Sequence, residues 1–115
     1  MLRGYNEAFN RHWTEGYVAF FTDDGQKMGN HGKDGFYTGH KSIGDQLGLI
    51  FLFYPDIALK NINVTGLEVK ADTATVQCKY TAVSEKRQYS EHITEYMELV
   101  KVDGMWKISK TDLVT

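Results

Sequence analysis

The sequence predicts an α+β domain, with three N-terminal helices packed on a strongly bent, mainly antiparallel sheet. Three observations predict it. Apolar residues before Pro55 recur at spacings of three and four, whereas after Pro55 they alternate at period two. The chain closes with two long runs of strand-forming residues joined by Asp103-Gly104. That dipeptide suits a type I′ turn, whose two central residues both take positive φ. Helices first and strands last is the order of a sheet covered on one face.

Leu2, Tyr5, Phe9 and Trp13, with Ala8 and His12 alongside, form one face of a first helix. Gly16 interrupts it. A second short helix is expected over Tyr17 to Thr22, ended by a turn at Asp23-Asp24-Gly25. Gln26 to Asn30 is expected as a short strand and Gly29 to Gly35, with three glycines, as a loop. Phe36 to Gly39 leads into a third helix over Lys41 to Phe53, with a buried stripe of Ile43, Leu47, Ile50, Phe51 and Tyr54. Gly44 and Gly48 weaken that helix by about 1 kcal/mol each relative to Ala, and close packing against the sheet is the expected reason for them. Pro55 ends it. Ile57 to Val69 is a strand with an irregularity near Lys60-Asn61, and Ala71-Asp72 is a turn. Ala74, Val76, Cys78, Tyr80 and Ala82 then alternate with polar residues, the pattern of a half-buried strand. Ser84 to Gln88 is a polar loop, and the final hairpin follows. Its first strand offers two faces, His92-Thr94-Tyr96-Glu98 and Ile93-Glu95-Met97-Leu99, and alternation does not say which is buried.

At 115 residues the chain is expected to be a single domain over 1–115, and 42% apolar residues suffice for a core. A net charge of −2 without a basic cluster argues against nucleic acid and against anionic membrane surfaces. No apolar run approaches the roughly 20 residues that span a bilayer, and Met1 to Glu7 has no signal-peptide core. The single cysteine, Cys78, excludes an internal disulfide and fits a reducing cytoplasm, the expected location. Its place in a half-buried strand makes it an apolar filler. The acidic turns lack the alternating oxygen ligands of a calcium loop, and the four histidines have no zinc spacing. The glycine-rich loop lacks the Lys-Ser/Thr ending of a phosphate loop. No metal and no cofactor are expected.

Four short motifs resemble one superfamily. They are Phe9, Trp13, Glu15 and Gly16 at the end of the first helix; Phe21 to Asp24; Tyr37-Thr38-Gly39-His40-Lys41-Ser42-Ile43; and the terminal Asp103 to Ile108. Together they resemble the nuclear-transport-factor-2-like (cystatin-like) superfamily, within it the SnoaL-like group, and Tyr96 to Ile108 is also similar to the putative lumazine-binding subgroup. The resemblance implies a sheet bent into a cone, three helices closing it, a pocket between them, and homodimers through the outer sheet face. It implies small-molecule binding, as a cofactor-free isomerase, cyclase or dehydratase acting by proton transfer on an apolar or polycyclic substrate; the alternative is a non-catalytic ligand-binding or oligomerisation (hub) domain. The steroid isomerase branch carries an acidic base shortly after the Asp-Asp turn. Gly25 to Asn30 contains no carboxylate here.

The candidate catalytic residues follow from place and chemistry. Asp112 ends the last strand, where the SnoaL cyclases carry an acid/base Asp, and simple alternation puts it on one face with Trp106, Ile108 and Lys110. Apolar walls would raise its pKa and fit it for proton transfer. His40 begins the third helix, and histidine is the residue type best suited to proton transfer near neutrality. The candidate binding residues are Trp13, Tyr17, Met28, Tyr37, Phe51, Tyr54, Glu95, Tyr96 and Trp106, an aromatic-rich set suited to a flat apolar or aromatic ligand with tyrosine hydroxyls fixing its orientation. Most aromatics also serve the core. Glu95, if inward amid Ile93 and Met97, is a candidate functional carboxylate; His92 is its counterpart on the other face, and His12 is a boundary histidine.

Overall fold

The computed structural model describes residues 1–115. In order, the elements are α1 (Leu2–Asn10), α2 (Thr14–Val18), β1 (Phe21–Gly29), a 3-10 turn (Asn30–Gly32), β2 (Phe36–Thr38), α3 (Gly39–Phe53), β3 (Ala58–Lys70), β4 (Thr73–Ser84), β5 (Tyr89–Val102) and β6 (Met105–Val114). The strands form one curled sheet in the order β2-β1-β6-β5-β4-β3. Every pair is antiparallel except β1 with β6. The expected α+β architecture is therefore observed. No helix is long and apolar enough to cross a membrane.

The expected helix over Tyr17 to Thr22 and its Asp-Asp-Gly turn are not. α2 is earlier and shorter, and Phe21 opens β1, which runs through Asp23, Asp24 and Gly25. Tertiary pairing overrides the local turn preference. Gln26 to Met28 pair with β2 on one side and β6 on the other, so the backbone groups of that part of β1 are satisfied by the ladder. The acidic stretch is where that ladder is irregular, with the register shifting between Phe21 and Gln26. Gly25 fits closely there: a Cβ would lie 3.1 Å from both the Ile108 carbonyl and the Phe21 Cβ. Phe36 to Thr38 adds a sixth strand, β2, to the five that periodicity suggests.

α3 starts two residues earlier than expected and buries Ile43 and Leu47 completely, with Ile50, Phe51 and Tyr54 partly covered. Gly44 and Gly48 do not pack on the sheet. Gly44 lies against Thr14 and Val18 of α2, and Gly48 has no neighbour within 4 Å of a would-be Cβ. The irregularity near Lys60-Asn61 is present: Asn61 has φ 56° and the β3–β4 register shifts between Lys60 and Asn63. The closing hairpin turns at Asp103 (φ 50°) and Gly104 (φ 78°), both positive as a type I′ turn demands.

The β5–β6 register shifts between Glu98 and Leu99. Lys110 pairs with Glu98 and Ile108 with Leu99, leaving Ser109 over as a bulge whose Oγ donates to the Glu98 carbonyl at 3.0 Å. One extra residue reverses the alternation beyond it. Ile108 and Thr111 are therefore both fully buried on the inner face, while Lys110 and Asp112 pair with the outward-facing Glu98 and Tyr96. This corrects the expectation that Asp112 shares a face with Ile108. The face of β5 that turns to the core is Ile93-Glu95-Met97-Leu99.

Candidate ligand cavity

Between the helices and the inner face of the sheet lies a cavity of about 140 Å³, walled mainly by apolar side chains that include Phe9, Ile50, Ile57, Leu59 and Ile93. Its polar centre is Glu95, 1% exposed. Three hydroxyls donate to this carboxylate: Tyr5 to Oε2 at 2.8 Å, Thr111 to Oε2 at 2.7 Å and Tyr80 to Oε1 at 2.8 Å. Because Tyr5 spends its single proton on Glu95, the 2.6 Å contact between the Tyr5 and Tyr17 oxygens is a donation from Tyr17. The two rings stack with centroids 4.5 Å apart. Burial first, and the Glu95 charge second, push the Tyr5, Tyr17 and Tyr80 hydroxyls well above the usual phenol range. All three stay protonated donors across the ordinary pH range.

Backbone geometry explains this convergence. Glu95 sits on β5 beside Cys78 of β4 and Leu113 of β6, so Tyr80 and Thr111 flank it from the neighbouring strands. Tyr5 reaches it from α1, and Tyr17 of α2 stands behind the Tyr5 hydroxyl.

Lys27 is the one basic side chain in the lining. It lies on β1 in register with Thr111, which turns its side chain to the inner face, and it is only 3% exposed. Its Nζ stands 4.8 Å from the centroid of the Tyr17 ring, a cation–π contact. No protein group accepts a hydrogen bond from it or pairs with it within ion-pair distance. Burial lowers its pKa from 10.5 to about 8, against the opposing pull of Glu95. Gln46 of α3 also lines the cavity, and its buried Oε1 has no partner.

Of the residues singled out from the sequence, Tyr17, Tyr54 and Glu95 line this cavity. The others lie elsewhere. Asp112 is on the outer face, where His31 holds it through its backbone N–H (3.0 Å) and Nδ1 (2.7 Å). His40 contacts the Phe21 carbonyl through Nε2 at 2.9 Å and so ties the start of α3 to β1. Trp13 and Trp106 border a surface groove with Phe20 and Met105, and Lys101 stands over Trp106. Tyr96 is exposed on the outer face, and Met28, in register with Asp112, is buried outside the main core. Tyr37 packs against the core edge. Phe51 stacks on His12 at 4.2 Å and meets Phe9 edge-on, and His12 caps the arrangement by its contact with the Ile57 carbonyl. His92 is exposed beside Thr81.

Sequence reasoning passed over Lys27, Gln46 and Thr111. Lys27 falls in the segment searched for a carboxylate, and an isolated lysine in a short strand carries no signal of burial.

No protein-family model matches the sequence, and no curated protein matches it. Solved structures do. A domain of unknown function with a cystatin-like fold from Nostoc punctiforme superposes with a TM-score of 0.83 at 18% identity, over 98% of this chain and 71% of that one. An NTF-2-like protein of unknown function from Shewanella oneidensis gives 0.76 at 18% identity, over 99% and 93%. A ketosteroid isomerase-like protein from Erwinia carotovora gives 0.76 at 20% identity, over 98% and 88%. The chain has the cystatin-like, NTF2-like cone fold that its motifs resemble.

Proposed function

We propose that this protein binds a small, mostly apolar molecule carrying one or two polar groups, held inside the cone. The observation that carries this reading is the pairing of an apolar cavity with polar atoms the protein leaves unused. The Gln46 Oε1 is a buried acceptor without a partner, and the Lys27 amine, set over the Tyr17 ring, donates no hydrogen bond to the protein. Buried polar groups are normally paired, so a ligand with an acceptor and a donor is the natural complement. The volume favours a ligand near the size of benzene, which a cavity of roughly 150 Å³ accommodates, over a polycyclic one. Within this reading a proton transfer falls to Lys27, because Glu95 already accepts three hydroxyls.

The test is a series of single-ring alcohols, acids and ketones, with a steroid as the oversized member, followed by thermal unfolding and by amide NMR. A ligand at about 100 times its Kd adds about 2.7 kcal/mol of stability. Small members should shift the resonances of Tyr17, Lys27 and Glu95, and the steroid should not. A flat response throughout the series refutes the reading.

A homodimer belongs to the same proposal. Leu67 and Val69 pair in register with the buried Val76 and Ala74, yet they stand exposed on the edge strand β3 with Ile62 and Val64 nearby. Such an apolar strip on an edge suits association. Light scattering that finds only monomer at high concentration removes this part.

A further inference from the structure

We propose that Lys27 is a nucleophile that forms an imine with a small aldehyde or ketone bound in the cone. The inference rests on the ligand-binding reading of that cavity and specifies its chemistry.

Four features support it. β1 is held between β2 and β6, so the backbone of Lys27 is fixed and the amine is presented to the cavity from a rigid element. The amine has no protein hydrogen-bond or ion-pair partner to occupy its lone pair once it is deprotonated. Glu95, the one carboxylate in the lining, is engaged by Tyr5, Tyr80 and Thr111, so it does not clamp the amine as a salt bridge would. The walls are apolar, which favours an uncharged carbonyl compound over an anion as the entering molecule. Desolvated lysines in apolar pockets are the ones that take up Schiff-base chemistry. The lowered pKa of Lys27, about 8, adds that roughly one molecule in ten carries the neutral amine at pH 7.

The step balances without any further reagent. The ammonium gives up one proton, and the neutral nitrogen attacks the carbonyl carbon as the C=O π bond breaks. One more proton passes from nitrogen to oxygen, giving a carbinolamine. The hydroxyl then leaves as water with the proton first released, and the C=N bond forms. The product iminium keeps one positive charge where the ammonium had it, over the Tyr17 ring and near Glu95. The charge environment of the cavity is therefore unchanged by the reaction.

The experiment is reductive trapping. The intact protein is incubated with propanal or benzaldehyde and cyanoborohydride, which delivers hydride to the C=N bond, and then digested and mapped by mass spectrometry. Lys27 should be alkylated at least about tenfold faster than the exposed Lys41 and Lys70, given the larger share of neutral amine. Benzyl alcohol, which is of similar size and cannot form an imine, should protect Lys27 and leave Lys41 unaffected. Labelling of Lys27 no faster than that of Lys41 overturns the inference. Benzyl alcohol contacts by NMR then separate the two layers. If it binds in the cone while Lys27 stays unlabelled, the covalent step alone is wrong; if it neither binds nor protects, the binding reading falls as well.

Discussion

Replacing Lys27 by Met tests the buried amine quantitatively. The substitution keeps a long flexible stem and removes the charge. Between its unfolded value near 10.5 and its folded value of about 8, the Lys27 pKa falls on folding. At about 1.4 kcal/mol per pH unit, a protonated Lys27 disfavours the folded state by about 3 kcal/mol. The sign follows from proton counting. Between pH 8 and 10.5 the unfolded chain binds more protons at this site than the folded one, so wild-type stability rises with pH across that window. Below pH 8 both states are protonated and the full penalty applies. Lys27→Met should therefore be more stable than wild type by up to about 3 kcal/mol at pH 6 to 7. The gap should shrink steadily between pH 8 and 10.5. In urea the neutral-pH difference corresponds to a midpoint shift of about 1–3 M, taking m as about 1–3 kcal/mol/M. The assay is a pair of urea titrations at each pH, and the difference cancels the titrations the two proteins share. A stability difference that does not change between pH 6 and 10 would show that Lys27 is not buried as a charge, and the reasoning would fail.

Glu95→Leu should destabilise by more than about 3 kcal/mol, because the buried hydroxyls of Tyr5, Tyr80 and Thr111 lose their common acceptor and each orphaned group costs about 1–3 kcal/mol; chemical denaturation reads it, and a loss under 1 kcal/mol contradicts the network. Gly48→Ala should stabilise by about 0.5–1 kcal/mol, since the helix gains propensity and a Cβ there meets nothing; an unchanged melting temperature counts against it. Gly104→Ala should destabilise by about 1–2 kcal/mol, because φ 78° in the hairpin turn is strained for an L side chain. Asp112→Ala should lower stability by about 1–3 kcal/mol through the loss of the His31 contacts, yet leave ligand affinity in the cone unchanged; a tenfold loss of affinity would return Asp112 to the binding site.

Much of the fold was legible where local chemistry and tertiary pairing agree. Asp103-Gly104 specified the last turn, the alternation from Ala74 to Ala82 specified β4, and Ile43 and Leu47 marked the buried side of α3. The reading failed where they conflict. Asp23-Asp24-Gly25 has the composition of a turn but lies within a strand as its irregular part, because the residues on either side, Phe21 and Gln26 to Gly29, pair with β6 from the far end of the chain. No local window contains that partner.

Of the cavity, the sequence supplied Tyr17, Tyr54 and Glu95 as candidates, since aromatic residues and a carboxylate between apolar neighbours are visible as such. It determined the order of elements, the two possible faces of β5 and the chemistry available on each. Only the tertiary structure decided that Glu95 faces inward with Tyr5, Tyr80 and Thr111 around it, that Lys27 is buried opposite Tyr17, and that Asp112 points out. The physical reason is that a strand's faces are fixed by register. One unpaired residue, Ser109, is enough to exchange them, and a bulge depends on the neighbouring strand and not on the sequence that carries it.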